Sequence, residues 1–587
     1  MTTSSWQGIV ITVGAHERPD ELVVGNRAST HMQEVRTIMS DHPSNSRPFL
    51  HRPATRRKVL KGAAGTAAGF YAFGLAGKSY QRALAQDDVR QQILKIPGAG
   101  AQPTEADMQK VGELTLKSEN KGKFKGQKVT FLGLNNAGLH NLVFRPLLAP
   151  WEEFTGAQIE WIDLPQDQVF SRVQQSIASG TVDFDVLEGG APWEGDILGK
   201  GLASEMPDSV KQQIDMTDYV KLEQAPVGTW DGKTYRVAID GDCHNFNYRS
   251  DVFADSDLAG EWTKQGGKGD WGVPTTWQQV QDATAFLKGK QLDGQDLYGI
   301  LDVCKPWGGF GFYFFLSRAT AYAKHPDDKA WLFDAETMKP RINNPAYLRA
   351  LEDIVAALPN EPGDQASVAD GNTTWSTQFL AGTGSMVHWW GDVGSNVYTN
   401  DLSVVQDKVA FSILPGSPDV YNSKTSTWDT IPDNNYAPNE AYIGWGIYVM
   451  KKSEERKVNE AAWDIAAHLG GKDVALWTAV YPSGFQPYRN SSFNVSDWVT
   501  VGYPEEYAKS YLDSESNSYN HPNGAVEPRI PGIFQYYTVA ETELAKAFVG
   551  DAEPQAALDA VAAEWEKITD QLGRESQIKL YQAALGG

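Results

Sequence analysis

The chain has little cysteine: two residues among 587, Cys243 and Cys304. This number excludes a disulfide-stapled scaffold and a structural zinc site built from four cysteines. A single bridge between the two is one alternative in an oxidising compartment, but two buried free thiols are the default expectation. The cysteines therefore predict no structural zinc site.

Sequence motifs of common cofactor enzymes and of serine hydrolases are missing. There is no glycine-rich dinucleotide loop, no Cys-x-x-Cys-His haem site, no iron–sulfur spacing and no Gly-x-Ser-x-Gly elbow. These absences favour a protein without a cofactor. They leave a glycosidase open, because paired carboxylates have no fixed spacing in a sequence.

Basic residues are in the minority and long apolar runs are scarce. Lys and Arg number 52 against 74 Asp and Glu, for a formal net charge of −22, and the first 85 residues are net basic, so the remainder is more acidic still. Such a protein repels nucleic acid and anionic lipid, so we expect a neutral or cationic ligand. No apolar run after residue 85 approaches the ~18 residues that a membrane span needs.

What is present begins with an export signal. The segment Thr55-Arg56-Arg57-Lys58-Val59-Leu60-Lys61 precedes a weakly apolar stretch from Gly62 to Gly77 and the small-residue site Ala83-Leu84-Ala85. This order is typical of a twin-arginine signal peptide, although paired arginines also occur before alanine-rich helices on ordinary surfaces. We expect cleavage after Ala85 and a periplasmic mature protein, with Met39 as an alternative start.

Strand and helix patterns alternate after residue 126. Buried-strand runs at 128–134, 157–162 and 184–187 are separated by helical periodicity at 142–155 and 166–179. Alternation of this kind implies parallel crossover connections and an α/β layered sheet. The roughly 500 residues after the signal exceed one core and predict two domains.

Residues 231–253 are typical of a connection between two sheets. They contain a turn, a strand, a glycine-containing break and a second strand, with no helical pattern between them. Chain that passes directly from one sheet to another is a candidate interdomain hinge.

In their order, these segments resemble the family 1 extracellular solute-binding proteins of bacterial ABC importers, the maltose-binding-protein superfamily. The likeness extends from about residue 126 to 570 and depends on the ordered set of motifs. The segments that carry it are Glu152-Glu153-Phe154-Thr155-Gly156, Asp185-Val186, Asp231-Gly232-Lys233 to Phe253, Pro274-Thr275-Thr276-Trp277, Phe379 to Met386 with Trp389-Trp390, Ile443-Gly444-Trp445-Gly446-Ile447, Pro482-Ser483-Gly484, Arg529-Ile530-Pro531-Gly532 and a final helix through Trp565. Two polar stretches, 417–440 and 489–526, depart from the family pattern and could cap a cleft or thicken a surface.

The resemblance implies an α/β fold with two lobes, the type II or Venus-flytrap periplasmic-binding-protein fold, whose discontinuous lobes are joined by hinge crossings. Residues 1–85 would be an extension and signal peptide, and 86–125 an N-terminal arm, with regular structure from Gln127. Lobe one is expected at 126–239 plus 407–470, and lobe two at 240–406 plus 471–587. Ligand would favour a closed state, because only that state brings both walls into contact with it.

Loops after the carboxyl ends of strands are where open α/β sheets bind ligands. Asn135, Asn136 and His140 follow the first strand and are polar candidates, with turn formation and helix capping as their alternative roles. Trp193 and Glu194 follow the third strand. The resemblance implies that this loop supplies a stacking ring and a carboxylate acceptor, while packing alone is the alternative for Trp193.

The hinge supplies Asp240, Asp242 and His244 as further candidates. Alternation along extended chain places the three side chains on one face, where they could converge on a ligand. Hinge turn structure and a metal site are the alternatives, since carboxylates and imidazole also bind metals.

Aromatic candidates complete the expected ligand site. Neighbouring residues on a strand face opposite ways, so one of Trp389 and Trp390 should be packed and the other free, and we favour Trp390 for the site. Phe310 to Phe315 are assigned to the core. The ligand-binding aromatic residues predicted in addition to Trp193 are Trp307, Trp390, Trp445, Phe534 and Tyr537.

The resemblance implies a substrate-binding component that captures a sugar or polyol and passes it unchanged to the transmembrane subunits of an ABC permease, as a monomer without a cofactor. The 19 tryptophans suit such a ligand, because the C–H face of a sugar stacks on indole and its hydroxyls bind polar groups. The alternatives are the same fold with a cationic ligand or a metal chelate, and an exported enzyme such as a glycosidase.

Overall fold

The computed structural model describes residues 89–585 except 136–139, 225, 364–371, 401 and 482–483. The predicted signal peptide, its cleavage site and Met39 lie outside the described residues. Within these limits, no helix combines the length and the apolar character needed to cross a membrane.

The regular elements follow one another in a mixed α/β order. The strands are β1 (Lys128–Leu134), β2 (Gln158–Leu164), β3 (Val186–Gly190), β4 (Thr229–Trp230), β5 (Lys233–Thr234), β6 (Arg236–Ala238), β7 (His244–Arg249), β8 (Lys290–Leu292), β9 (Gln295–Leu301), β10 (Gly384–Trp390), β11 (Val409–Ile413), β12 (Ser417–Asn422), β13 (Thr427–Asn435) and β14 (Trp445–Val449). The α-helices are α1 (Glu105–Leu114), α2 (Asn141–Thr155), α3 (Gln166–Ser179), α4 (Glu194–Ile197), α5 (Asp208–Ile214), α6 (Ser250–Ala254), α7 (Ser256–Lys264), α8 (Trp277–Leu287), α9 (Phe312–Ala323), α10 (Pro345–Ala357), α11 (Val393–Thr399), α12 (Lys452–Glu455), α13 (Asn459–Leu469), α14 (Lys472–Val480), α15 (Val495–Val501), α16 (Glu505–Tyr519), α17 (Ile533–Phe548), α18 (Pro554–Leu572) and α19 (Arg574–Ala584). Shorter helical pieces are Ser118–Asn120, Ala191–Trp193, Met216–Asp218, Lys221–Glu223, Leu358–Asn360, Asn490–Phe493 and the π-helix Asn372–Phe379.

The first five-stranded sheet has the order β2-β1-β3-β14-β6. The strand β1 lies parallel to β2 and β3, with Phe131 opposite both Trp161 and Val186. The helices α2 and α3 make the crossovers that parallel strands require. The strand β14 returns from far along the chain and lies antiparallel between β3 and β6, so this sheet contains two distant parts of the sequence.

The second sheet has the order β11-β7-β10-β9-β8. The strand β7 lies antiparallel between β10 and β11, and His244 faces Trp390 across the β7–β10 pair. The N-cap of helix α8 is Thr276, whose side chain accepts from the Gln279 backbone amide in a capping box. The two sheets confirm the predicted α/β class.

The predicted lobe boundaries at 407 and 470 are both wrong, the second because α14 packs with α13 on the first-sheet side. Residues 407–470 were expected in lobe one, but β11 pairs with β7 in the second sheet. The chain returns to the first sheet only at β14, beyond the β12–β13 hairpin. The residues of β11 predict a strand but not its sheet, because only the pairing with β7 decides which sheet it joins.

The predicted N-terminal arm packs against the rest of the protein. The expectation that regular structure begins at Gln127 is wrong, because helix α1 lies upstream of it. Helix α1 has a capping box at Thr104 and packs on α2. Gly112 permits this contact, because a Cβ atom there would lie 2.2 Å from the Leu147 carbonyl oxygen. Further upstream, Arg90 binds the Asp497 carboxylate at 2.6 Å.

Both polar insertions are folded, and a part of each packs beside the second sheet. The first forms the β12–β13 hairpin, where the Asn435 side-chain amide donates to the Ala321 and Lys324 carbonyls of α9 at 2.9 and 3.0 Å. The second contains α15 and α16, and Ser510 of α16 accepts from the Phe411 amide of β11 at 3.0 Å. These contacts thicken the second lobe.

Substitution of Gly112 tests the α1–α2 contact. Gly112→Ala places a methyl group against backbone that cannot move cheaply, so we expect the free energy of unfolding to fall by about 1–3 kcal/mol. Gly260→Ala in α7 is the control, because a Cβ atom there meets nothing within 4 Å, and it should be neutral or stabilise by up to about 1 kcal/mol. Urea unfolding of both variants measures the difference, and equal stabilities would contradict the close contact.

Candidate functional site

The segments that connect the two sheets lie beside one another. Residues 239–243 lead from β6 to β7, and 436–444 lead from β13 to β14. The two are joined where the His244 amide donates to the Asn439 carbonyl at 3.1 Å. A third segment, residues 484–489, lies against the first of these, and the Gln486 backbone amide donates to the Asp240 carboxylate at 2.6 Å. The expected hinge is therefore a bundle of crossing strands.

Aromatic rings from both sheets meet at these crossings. Trp193 and Trp445 come from the ends of β3 and β14, their centroids 5.7 Å apart. Tyr442 lies 4.6 Å from Trp445 and 5.1 Å from Phe310, which follows β9 on the other side. We call the aromatic cluster the following six residues: Trp193, Phe310, Trp390, Tyr442, Trp445 and Phe534.

Trp307 and Trp389 lie next to Trp390 and extend the aromatic cluster on the second-sheet side. Trp307 is half-buried and stacks on Trp389 at 6.2 Å with an interplanar angle of 22°. Trp390 packs its indole edge-on against His244 at 4.4 Å and donates from Nε1 to the Ala441 carbonyl at 3.0 Å. The expectation that one of the pair would be free is wrong: Trp389 is 4% and Trp390 8% exposed, because both faces of this central strand are covered.

His140 closes the first-sheet side. It caps the start of α2 with a positive φ of 52°, and its Nδ1 pairs with a Glu188 carboxylate oxygen. The other Glu188 oxygen accepts from the Leu134 amide at 2.9 Å. The imidazole then meets Trp445 edge-on at 5.2 Å. Glu188 therefore fixes the orientation of a ring that touches the aromatic cluster.

Glu194 is directed away from the aromatic cluster and into a network of protein donors. It accepts from the Gly228 amide at 2.8 Å, the Tyr448 hydroxyl at 3.0 Å and the Arg529 guanidinium at 2.5 Å. These contacts hold the loop that carries Trp193. The predicted carboxylate acceptor of this loop thus has a structural role in the arrangement observed.

The three hinge candidates lie within the crossings but have different surroundings. Asp240 accepts from Gln486 as described above. Asp242 is 4% exposed, and no described residue forms a hydrogen bond or ion pair with its carboxylate. His244 is bonded through Nδ1 to Ser317 Oγ at 2.7 Å, while its buried Nε2 has no partner in the part of the chain described. Asp242 and His244 therefore retain polar atoms for a further contact.

Comparison with known proteins identifies the architecture. The profile of a family described as bacterial extracellular solute-binding protein matches residues 147–502, more than half of the chain. The chain belongs to this family. None of the curated proteins matches it.

Solved structures share the fold of this solute-binding protein. A solute-binding protein of an ABC transporter from Agrobacterium radiobacter K84, in complex with ribitol, has a TM-score of 0.58 at 19% identity, covering 76% of this chain and 99% of its own. One from Agrobacterium vitis S4 with bound D-mannitol has the same TM-score at 20% identity, with the same coverages. Maltose-bound MalE3 of T. maritima gives 0.56 at 18%, covering 76% and 100%. At such identities the likeness shows the fold, which is the predicted two-lobed one.

The remaining predicted site residues differ in their distance from the aromatic cluster. Asn135 is exposed at the end of β1, and Asn136 lies outside the described residues. Phe534 belongs to the aromatic cluster, 5.2 Å from Phe310. Tyr537 lies behind Phe534, with its hydroxyl donating to the Glu527 carboxylate at 3.1 Å.

Sequence reasoning missed three members of this site. Tyr442 precedes the Ile443-Gly444-Trp445 motif by one residue, and an aromatic ring beside Gly444 was the available signal. Phe310 was assigned to the core, whereas its ring contacts Trp307, Tyr442 and Phe534. Glu188 carried no signal, because a buried carboxylate within a strand becomes recognisable only with its partner.

Carboxyl groups without basic partners gather beside the crossings, in the described part of the chain. Burial raises the pKa of Asp392 to about 8 and that of Glu515 to about 7. Burial, together with repulsion from neighbouring carboxylates, raises the pKa values of Asp240 and Asp242 well above their ordinary range. We call these four residues the acid cluster.

The acid cluster predicts a stability that falls as pH rises. The folded protein retains protons that the unfolded chain loses near pH 4, so the free energy of unfolding decreases from about pH 5 until pH passes the folded pKa. Asp392→Asn should flatten this slope by up to about 1.4 kcal/mol per pH unit between about pH 5 and pH 8. Denaturant unfolding at several pH values measures it.

Asp334→Asn is the control for that slope. Hydrogen bonds from Thr337 and Glu336 outweigh partial burial and lower the pKa of Asp334. Its contribution is complete above its unfolded pKa and is lost only as pH falls. The slope above pH 5 should therefore equal that of the wild type, and an Asp392→Asn slope that also does so would contradict the assignment.

A cavity of about 420 Å³ lies apart from the crossings. It is lined by α1, α2, α13 and α14, all on the first-sheet side, and includes Lys117, Asp464 and His468. A solute bound there would not touch the second lobe, so this cavity does not couple binding to lobe closure.

Proposed function

We propose that this protein is the periplasmic binding component of an ABC importer and that it captures a sugar or polyol between its two lobes. The aromatic cluster carries the proposal, because its rings come from both lobes and from the segment that joins them. A solute held there would contact both walls at once, and its binding energy would favour closure. Indole and phenyl faces beside polar atoms suit the C–H faces and hydroxyls of a polyol.

The charges near the crossings argue against an anionic solute. The buried arginines of this region have carboxylate partners: the pairs are Arg236–Glu223, Arg318–Asp302, Arg489–Asp218 and Arg529–Glu194. Within the described residues, the buried polar atoms without a partner include the Tyr442 hydroxyl and the His244 ring nitrogen Nε2. A sugar acid or sugar phosphate would find no unpaired guanidinium among the described residues of this region, whereas the hydroxyls of a neutral solute would be bound.

The remaining parts of the proposal follow from this role. After export by the twin-arginine signal and cleavage at Ala85, the protein would act as a monomer in the periplasm and deliver its solute to permease subunits. No bond would be broken, so no side chain is assigned a catalytic role. The lobes would be residues 126–239 with the β14–α14 region, and the second sheet with its helices.

A solute panel tests the proposal. Ribitol, D-mannitol, maltose and their phosphorylated forms would be screened by thermal shift, and hits measured by calorimetry. A bound polyol at a hundredfold excess over Kd should stabilise the folded state by about 2.7 kcal/mol. The same solute should reduce the radius of gyration in small-angle scattering. Chromatography should recover it unchanged, and a converted solute would instead indicate an enzyme.

A cationic solute is the second candidate, favoured by the unpaired Asp242 carboxylate next to aromatic rings. An ammonium group would be bound by the carboxylate and by ring faces. Choline and 1,4-diaminobutane in the same panel distinguish the candidates. Stabilisation by these amines, stronger at higher pH because Asp242 must ionise, with no response to polyols, would replace the sugar proposal.

A further inference from the structure

Tyr442 lies between the two walls of the aromatic cluster and belongs to neither sheet. Its ring contacts Trp193 and Trp445 on one side at 6.0 and 4.6 Å, and Phe310 and Phe534 on the other at 5.1 and 6.0 Å. The residue is 1% exposed. A side chain in this place contacts both walls, so a solute held between them would lie against it.

The backbone around Tyr442 is held in an unfavourable conformation. Tyr442 has φ 74° and Ile443 has φ 53°, a left-handed region that bulky and β-branched residues avoid. Hydrogen bonds from both sides keep it there: Trp390 binds the Ala441 carbonyl, and Arg236 of β6 donates to the Ile443 and Gly444 carbonyls at 3.2 and 3.0 Å. The ring direction is therefore fixed by both lobes.

Gly190 provides the space for the tip of this ring. A Cβ atom on Gly190 would lie 2.1 Å from Cζ of Tyr442 and 2.4 Å from its hydroxyl oxygen. Despite this close fit, the hydroxyl is buried and has no hydrogen-bond partner among the described residues. A buried unpaired hydroxyl destabilises a protein unless something else binds it. If the residue only filled space, phenylalanine would give a more stable protein.

We infer that Tyr442 is a specificity-determining residue of the solute site: its ring sets the depth of the space between the walls, and its hydroxyl is the hydrogen-bonding group kept for the solute. This inference rests on the proposed function. It adds that one solute hydroxyl, or an equivalent polar group, lies against Tyr442, and that solutes without it are discriminated against.

Opposite changes in stability and affinity test the inference. Tyr442→Phe removes only the hydroxyl, so the melting temperature without solute should stay the same or rise, while affinity for the best of ribitol, D-mannitol and maltose falls about five- to tenfold. Tyr511→Phe is the matched control, because Tyr511 is a buried tyrosine outside the aromatic cluster whose hydroxyl also has no partner in the described chain. The affinity of Tyr511→Phe for the same solute should equal that of the wild type.

Deoxy analogues of the bound solute locate the contact. Among the monodeoxy forms, one should bind the wild type about as weakly as the parent solute binds Tyr442→Phe, and should lose nothing further in that variant. Affinity of Tyr442→Phe within twofold of the wild type, or a lowered melting temperature without solute, would overturn the inference while leaving the sugar proposal intact. If no polyol binds the wild type, both are overturned.

Discussion

Replacement of Arg236 by leucine is expected to lower the free energy of unfolding by about 3–5 kcal/mol. The guanidinium pairs with the buried Glu223 carboxylate and donates to the Ile443, Gly444 and Trp445 carbonyls, the latter two both at 3.0 Å. Leucine would leave a carboxylate and the Ile443 and Gly444 carbonyls buried without a donor, while the Trp445 carbonyl keeps the bond from the Ile239 amide at 3.0 Å. Urea unfolding monitored by tryptophan fluorescence measures the loss.

An exposed ion pair is the control for this effect. Arg172 pairs with Asp183, but the two side chains are 35% and 49% exposed, so Arg172→Leu should change stability by less than about 1 kcal/mol. Because Arg236 also fixes the crossing segment, its loss should weaken solute binding. Equal stabilities of the two leucine variants would show that the Arg236 network contributes no more than a surface pair.

Replacement of Trp390 by alanine should reduce both stability and affinity. The indole packs against His244, Trp389 and Phe314 at 4.4, 5.4 and 5.5 Å. Removal of such a buried ring costs about 3–5 kcal/mol. The Ala441 carbonyl also loses its donor, so the Tyr442 segment should loosen and solute affinity should fall by at least tenfold in calorimetry.

Trp307 separates the binding role of these rings from their structural role. It is half-buried and stacks on Trp389 at the border of the aromatic cluster, so Trp307→Ala should weaken binding by roughly 1–3 kcal/mol with a smaller loss of stability than Trp390→Ala. If Trp390→Ala unfolds at the same urea concentration as Trp307→Ala, the structural role given to Trp390 is wrong.

Much of the fold could be predicted where a segment carries its own pattern. Helix α3 occupies the predicted residues 166–179, and β1 the predicted 128–134, because apolar periodicity and a terminal glycine are local signals. The edge strand β11 and the helix α1 were missed. The placement of each depends on a partner outside its own segment, because β11 pairs with β7 and α1 packs on α2.

The candidate site was predicted only in part, for a related reason. Trp193, Trp390, Trp445 and Phe534 were found because an aromatic ring at the end of a strand or the start of a helix is visible in a sequence. Whether a polar residue is free or paired is not visible. In the sequence, Glu194 and Asp242 are both acidic residues of a candidate loop and cannot be told apart. In the structure, Arg529, 335 positions away, binds the Glu194 carboxylate, whereas no described residue binds that of Asp242.

By itself, the amino-acid sequence determined the alternation of strands and helices, the acidic surface charge, the wealth of tryptophan and the order of motifs that identifies the family. All of these are properties of short segments or of composition. The tertiary structure decided which sheet takes β11, which carboxylates are neutralised and that Tyr442 lies between the walls. Those outcomes depend on contacts between residues hundreds of positions apart, and burial gives each contact its energy only once the chain has folded.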